Sequence, residues 1–233
     1  MDKETITVDK RADLLEVESA IFDSEDRTIA QRYLSELLSY STVRDPEAAA
    51  RELISEHGSI DAVTSRDTEE LVRSVGESAA ILLKLLAYTD GRRVYDGFRF
   101  GRRNSDAEII ELLSAMMRGL SRETVYMVSV DARGAVIACD MIGEGTVNAS
   151  DVYPRKLAER AIKRGAAEVY LAHNHPSGTA GPSDDDVSST ARVFATLRAS
   201  GIRMRAHAVV AEREVRLMVP NEKTGEIDIT DAI

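Results

Sequence analysis

The chain contains four histidines in 233 residues. Two of them, His173 and His175, stand one residue apart at the end of an apolar run, AEVYLAHNH. Side chains on a strand alternate, so both imidazoles point to one side of the pleat and can reach a single ion. A third ligand must come from elsewhere. Asp186 is well placed for it, because it opens a helical pattern that the loop PSGTAGPS folds back toward the strand end. Three protein ligands leave one tetrahedral position for water, the arrangement of catalytic rather than structural zinc. Water held there ionises near pH ~7 and becomes a nucleophile, which brings hydrolysis within reach.

The elements that must position these residues follow from periodicity. From Thr28 to about Asp90 apolar residues recur at three- and four-residue spacing in IAQRYLSELLSY, PEAAARELISEH, DTEELVRSVG and ESAAILLKLLAYT, a small all-helical unit. Asp45-Pro46 and Asp67 read as helix starts, and Gly58 and Gly76 as turns. The glycine- and arginine-rich segment DGRRVYDGFRFGRRNSD reads as a connector. Beyond it a helix, DAEIIELLSAMMRGL, precedes two strand-like runs joined at Ala132-Arg133-Gly134. A helix opened by Pro154, the strand carrying the histidines, a helix starting at Ser183, and a second hairpin, RMRAHAVVA with EVRLMVP, complete the order. The expected fold is mixed α/β (α+β), a mixed sheet flanked by helices, with a small helical N-terminal domain. The expected division is an acidic tail or loosely docked segment over 1–27, a helical domain over 28–95 and the histidine-bearing domain over 104–233.

Composition narrows the function classes. A single cysteine, Cys139, excludes an internal disulfide framework and a zinc site built from several thiolates of one chain; it reads as an inert core residue. No apolar run approaches the ~18 residues that span a bilayer, and the N-terminus lacks the pattern of a signal peptide. The expected compartment is the cytoplasm, with no membrane partner. A formal net charge of -10 works against general affinity for a phosphate backbone. Arg92-Arg93, Arg102-Arg103, and Arg155-Lys156 with Arg160, Lys163 and Arg164 are the candidate basic patches, although on so charged a chain such residues are usually solvated surface.

The spacing His-x-His, seven residues, Ser, two residues, Asp resembles the metal-binding pattern of the JAMM (MPN-plus) metalloproteases at every position. More narrowly, HNHPSGTAGPSDDD together with EGTVNASDVYPRKLAERAIKRGAAEVYLA resembles the RadC family of bacterial JAMM-domain proteins, over roughly residues 105 to 218. A lone His-x-His is more often a surface or core pair. Ser183 and Asp186 in register behind it turn the reading toward metal.

The resemblance implies a zinc domain of the cytidine-deaminase-like type with His173, His175 and Asp186 as ligands. It also implies that Ser183 holds the water or steadies a tetrahedral oxyanion, besides capping its helix. It calls for an acid/base glutamate at the start of the first strand of the domain, the place of Glu123 in LSRETVYMVSVD, with Glu144 as competitor. Asp184 and Asp185 read as first-turn acids. His207 reads as a packed strand histidine or a neighbour of the metal; Ala206 replaces the aspartate that RadC relatives carry before it, and Lys156 replaces the glutamate of their PRE.

The N-terminal unit resembles a helix-hairpin-helix, but Ser74 stands where its first hairpin glycine is expected and Glu77 adds negative charge, so packing or partner docking is favoured over DNA binding. The implied function is zinc-dependent hydrolysis of amide or isopeptide bonds in a protein or peptide substrate. The alternatives are a DNA-repair-associated nuclease or nucleic-acid-binding protein, and a non-catalytic MPN scaffold.

Overall fold

The computed structural model describes residues 27–144, 152–176, 179–211 and 214–232. The segment read as an acidic tail, apart from Arg27, and motif positions 145–151 and 177–178 lie outside them. No helix among the described residues is long and apolar enough to cross a membrane.

The chain forms two compact units that divide between Leu85 and Leu86. The first contains α1 (Arg27–Ser39), α2 (Pro46–His57), the short α3 (Ile60–Thr64), α4 (Thr68–Val75) and the start of α5 (Glu77–Gly97). Side-chain caps begin the helices where the sequence signals them: Asp45 accepts from Ala48 N–H and Asp67 from Glu69 N–H. Leu34, Leu38, Leu53, Ile54, Leu71 and Leu83 fill the core. Gly76, at φ 83°, supplies the left-handed turn that joins α4 directly to α5.

The first part of the segment expected to be a connector, 90–97, is helix, whereas 98–105 is not. α5 continues through Gly91 to Gly97, and the two units divide inside it. Gly91 is there for close approach: a Cβ at that position would lie 2.5 Å from the Ala115 carbonyl oxygen. Val94, Tyr95 and Phe98 then pack on the core of the second unit.

The second unit is mixed α/β. A six-stranded sheet runs in the order β2-β1-β3-β4-β5-β6, from β1 (Thr124–Val130), β2 (Val136–Glu144), β3 (Glu168–Asn174), β4 (Arg203–Val210), β5 (Val215–Pro220) and β6 (Ile227–Asp231). All neighbours are antiparallel except β3 and β4. β6 lies beyond the last strand expected from the sequence. Period-two alternation divides the strands between two cores. On one face α6 (Asp106–Met117) covers Val128, Val130, Tyr170, Ala172, Ala206 and Ala208. On the other, α7 (Val152–Arg164) and α8 (Asp184–Ala199) cover Val125, Met127, Val169, Leu171 and Met204. The parallel β3–β4 pair requires a crossover, and α8 supplies it. Its N-terminus therefore returns to the carboxyl end of β3, the end at which open α/β sheets place ligands.

Candidate metal centre

β3 ends at this edge with His173 on the α7/α8 side of the sheet, in line with Val169 and Leu171. In the antiparallel β1–β3 ladder Val125 faces His173. The same register carried two residues outward sets Glu123 opposite His175, and alternation turns both toward the side of His173. Asp186, in the first turn of α8, closes the group. Glu123, His173, His175 and Asp186 each offer one ligand atom, and these atoms lie within 4.8 Å of one another.

The spacing suits one small cation. His173 Nε2 lies 3.0 Å from His175 Nε2 and 3.3 Å from Asp186 Oδ1, and His175 Nε2 lies 3.5 Å from Asp186 Oδ2. Ligands at about 2.0–2.1 Å from a tetrahedral zinc are roughly 3.3 Å apart, so the spacing of the donor set is close to that of such a site.

His175 and Asp186 are held by neighbours of different chemistry. His175 Nδ1 lies 2.9 Å from the Thr179 carbonyl oxygen. A carbonyl only accepts, so Nδ1 carries a hydrogen, and Nε2 is the nitrogen left to donate to Asp186 or, once it gives up its hydrogen, to offer a lone pair to an ion. Asp186 belongs to a capping box: its Oδ2 accepts from Ser183 N–H at 2.8 Å and Ser183 Oγ–H at 2.6 Å, while Asp186 N–H donates to Ser183 Oγ. Burial alone would raise the Asp186 carboxyl. Hydrogen bonds from His173, His175 and Ser183 outweigh it and hold the group far below the usual carboxylate range. The bond to Asp186 in turn raises His175 against the pull of burial.

Asn174 points to the opposite face and performs a separate task. Its Oδ1 accepts from Thr124 N–H at 2.8 Å, and its Nδ2 donates to the carbonyls of Arg122 at 3.1 Å and Leu120 at 3.3 Å. These three bonds fasten the Leu120–Thr124 backbone, and with it Glu123, to the strand that carries the histidines. Only 3% exposed, Asn174 is a clamp, and the sequence singles it out only as part of a matching motif.

A family model, the RadC-like JAB domain, matches residues 103–222. A UPF0758 protein of Stenotrophomonas maltophilia is 34% identical over 175 residues, covering 72% of this chain and 74% of its own. A second, from Caldanaerobacter subterraneus, is 33% identical over 168 residues, with 70% and 71% covered. A third, from Vibrio cholerae, is 34% identical over 171 residues, with 72% and 76% covered. The chain belongs to the RadC-like JAB-domain family.

Other candidates of this RadC-like JAB domain fall outside the cluster. Glu144 stands at the end of β2 with its carboxylate 3.6 Å from Arg122 Nη1 and is not among the four grouped residues. Asp184 and Asp185 are exposed first-turn residues of α8. The Ser183 hydroxyl, expected to face water or an oxyanion, gives its one hydrogen to Asp186. Cys139 is half-buried with Sγ 3.6 Å from Met116 Sδ, and burial pushes its thiol up to about 12, far from reactive. His207 is buried beside the site, Nε2 2.9 Å from His173 Nδ1 and Nδ1 2.7 Å from Thr190 Oγ1. Burial first, and His173 second, lower its proton affinity well below that of a free histidine. Thr190 carries no signal in the sequence, because only folding brings α8 across β4.

Proposed function

We propose that this RadC-like protein is a zinc-dependent hydrolase of amide or isopeptide bonds acting on a protein or peptide substrate. His173, His175 and Asp186 would hold the ion. Zinc, when bound, supplies Lewis acidity that makes water a nucleophile near neutral pH. Glu123 is the general base. Its carboxylate takes the proton of water as the C–O bond forms at the carbonyl carbon, then returns it to the leaving nitrogen as the C–N bond breaks. Asn174 holds Glu123 within reach. Ser183 steadies Asp186, and serves as oxyanion donor when its hydroxyl turns to the substrate.

The observation that carries this reading is the presence of Glu123 in one cluster with the three ligands. A scaffold has no need of an acid/base group beside a complete ligand set. A nucleic-acid substrate has less in its favour. The net charge is -10, and Arg92, Arg102, Arg155, Arg160 and Arg164 are engaged by Asp96, Glu108, Glu159 and Asp140.

The test uses Glu123→Gln in the full chain loaded with zinc. Proteins retained by this variant are incubated with wild type, and new amino termini or released conjugates are read by mass spectrometry. Turnover of such a substrate should fall by about 10²–10⁴-fold in Glu123→Gln with zinc content unchanged. Equal turnover, or a wild type that takes up no stoichiometric zinc, overturns the proposal.

A further inference from the structure

His173 and His175 reach the site from unlike surroundings, and the difference assigns a role to two residues that touch neither ion nor substrate. His175 is locked by a carbonyl, which permits one tautomer. His173 instead meets another imidazole, which can donate or accept. Its Nδ1 is 2.9 Å from His207 Nε2, His207 Nδ1 is 2.7 Å from Thr190 Oγ1, and Thr190 Oγ1 is 3.6 Å from Met218 Sδ. The line crosses β3, β4, α8 and β5, and its four residues are 3%, 5%, 0% and 0% exposed in that order.

Two hydrogen arrangements satisfy such a line. In one, the Thr190 hydroxyl donates to His207 Nδ1, His207 Nε2–H donates to His173 Nδ1, and His173 must carry its hydrogen on Nε2, where it blocks a ligand bond. In the other, the far end decides. A thioether sulfur has no hydrogen and only accepts, so when the Thr190 hydroxyl points to Met218 its oxygen is left to accept from His207 Nδ1–H. His207 Nε2 is then bare and accepts from His173 Nδ1–H, and the lone pair of His173 Nε2 faces Asp186 and His175.

We infer that Thr190 and His207 are positioning residues that hold His173 in the tautomer able to bind the ion, with Met218 fixing the direction of the line. The inference rests on the zinc reading above. It gives His173 through side chains what Thr179 gives His175 through a carbonyl, the outer-shell support that orients a ligating imidazole and strengthens it as a base.

The experiment measures zinc affinity of the full-length protein by competition with a chromogenic chelator, alongside ¹⁵N spectra of the histidine side chains. Thr190→Val keeps the shape of the side chain and removes its hydroxyl; it should weaken zinc binding by about 10–100-fold. His207→Phe should do the same, whereas Thr190→Ser should bind as wild type does. His207→Gln, with an amide oxygen to accept from His173, should recover part of the loss. In the zinc-loaded wild type both His173 and His207 should carry hydrogen on Nδ1, a result that does not depend on any variant folding. Wild-type affinity in Thr190→Val, or hydrogen on Nε2 of His207 in the loaded protein, overturns the inference and leaves the zinc reading intact. A wild type that binds no zinc overturns both.

Discussion

Asp140 and Asp186 are both carboxylates with little exposure, 8% and 18% of their side chains respectively, and both are held below the usual carboxylate range, yet they are compensated in opposite ways. Asp140 accepts a two-pronged contact from Arg164, through Nε at 2.8 Å and through Nη2, and a further bond from Arg160 at 3.2 Å. The Arg164 hydrogen bond is the main cause of its low value. Guanidinium groups stay charged at any ordinary pH, so this compensation is permanent and a metal cation would meet fixed positive charge. Asp186 is held by two imidazoles and a hydroxyl, groups that can turn lone pairs outward, and a second carboxylate, Glu123, lies beside it. A buried polar cluster that carries its own cation is structural. One whose members converge as donors to a common point is open to an ion.

The largest expected effect separates the two carboxylates outright. Asp186→Asn should lose stoichiometric zinc, measured by elemental analysis of dialysed protein, while Asp140→Asn retains it; zinc retained in full by Asp186→Asn would break the comparison. Within the Asp186 region, Asn174→Asp keeps an acceptor for Thr124 N–H but sets oxygen against the Leu120 and Arg122 carbonyls. Displacement of Glu123 by about 1 Å should lower kcat by about 10²-fold with zinc content unchanged, measured on a substrate captured by Glu123→Gln. An equal loss of zinc in this variant would show that Asn174 serves the ligands rather than the base.

Smaller effects bear on stability. Free zinc at about 100 times its Kd should stabilise wild type by about 2.7 kcal/mol in urea unfolding. Asp140→Asn should show the same increment over its own metal-free form, and Asp186→Asn none. Asp140→Asn itself should cost roughly 1–2 kcal/mol at neutral pH, because its arginine partners are half-exposed and screened. Since the folded-state value of Asp140 is depressed, its contribution is complete above the unfolded-chain value of about 3.9. It is lost as pH falls through the folded value. The gap between wild type and Asp140→Asn should therefore narrow below about pH 4; a gap that widens there would show that the arginines do not stabilise the charged form.

Short-range rules determined much of this protein from sequence alone. Alternation along β3 put His173 and His175 on one face, a serine three residues before Asp186 announced a capped helix, and apolar spacing marked the helices and the two hairpins. Such rules depend on neighbours a few residues apart, so they survive without a fold. They misled where glycine had a tertiary purpose. Gly91 reads as a break, but it lies inside α5, where a Cβ would collide with the Ala115 carbonyl oxygen. They were silent on whatever crosses the sheet. Register across β1 and β3 brought Glu123 to His173, His175 and Asp186 and left Glu144 beside Arg122. Asn174 joined backbone groups 50 residues distant, and the β3–α8–β4 crossover laid Thr190 and His207 behind His173. The cluster of His173, His175 and Asp186 could be proposed in advance because these residues lie within fourteen positions of one another. Their supports could not, because hydrogen bonds between distant strands and helices exist only once the sheet has chosen its order.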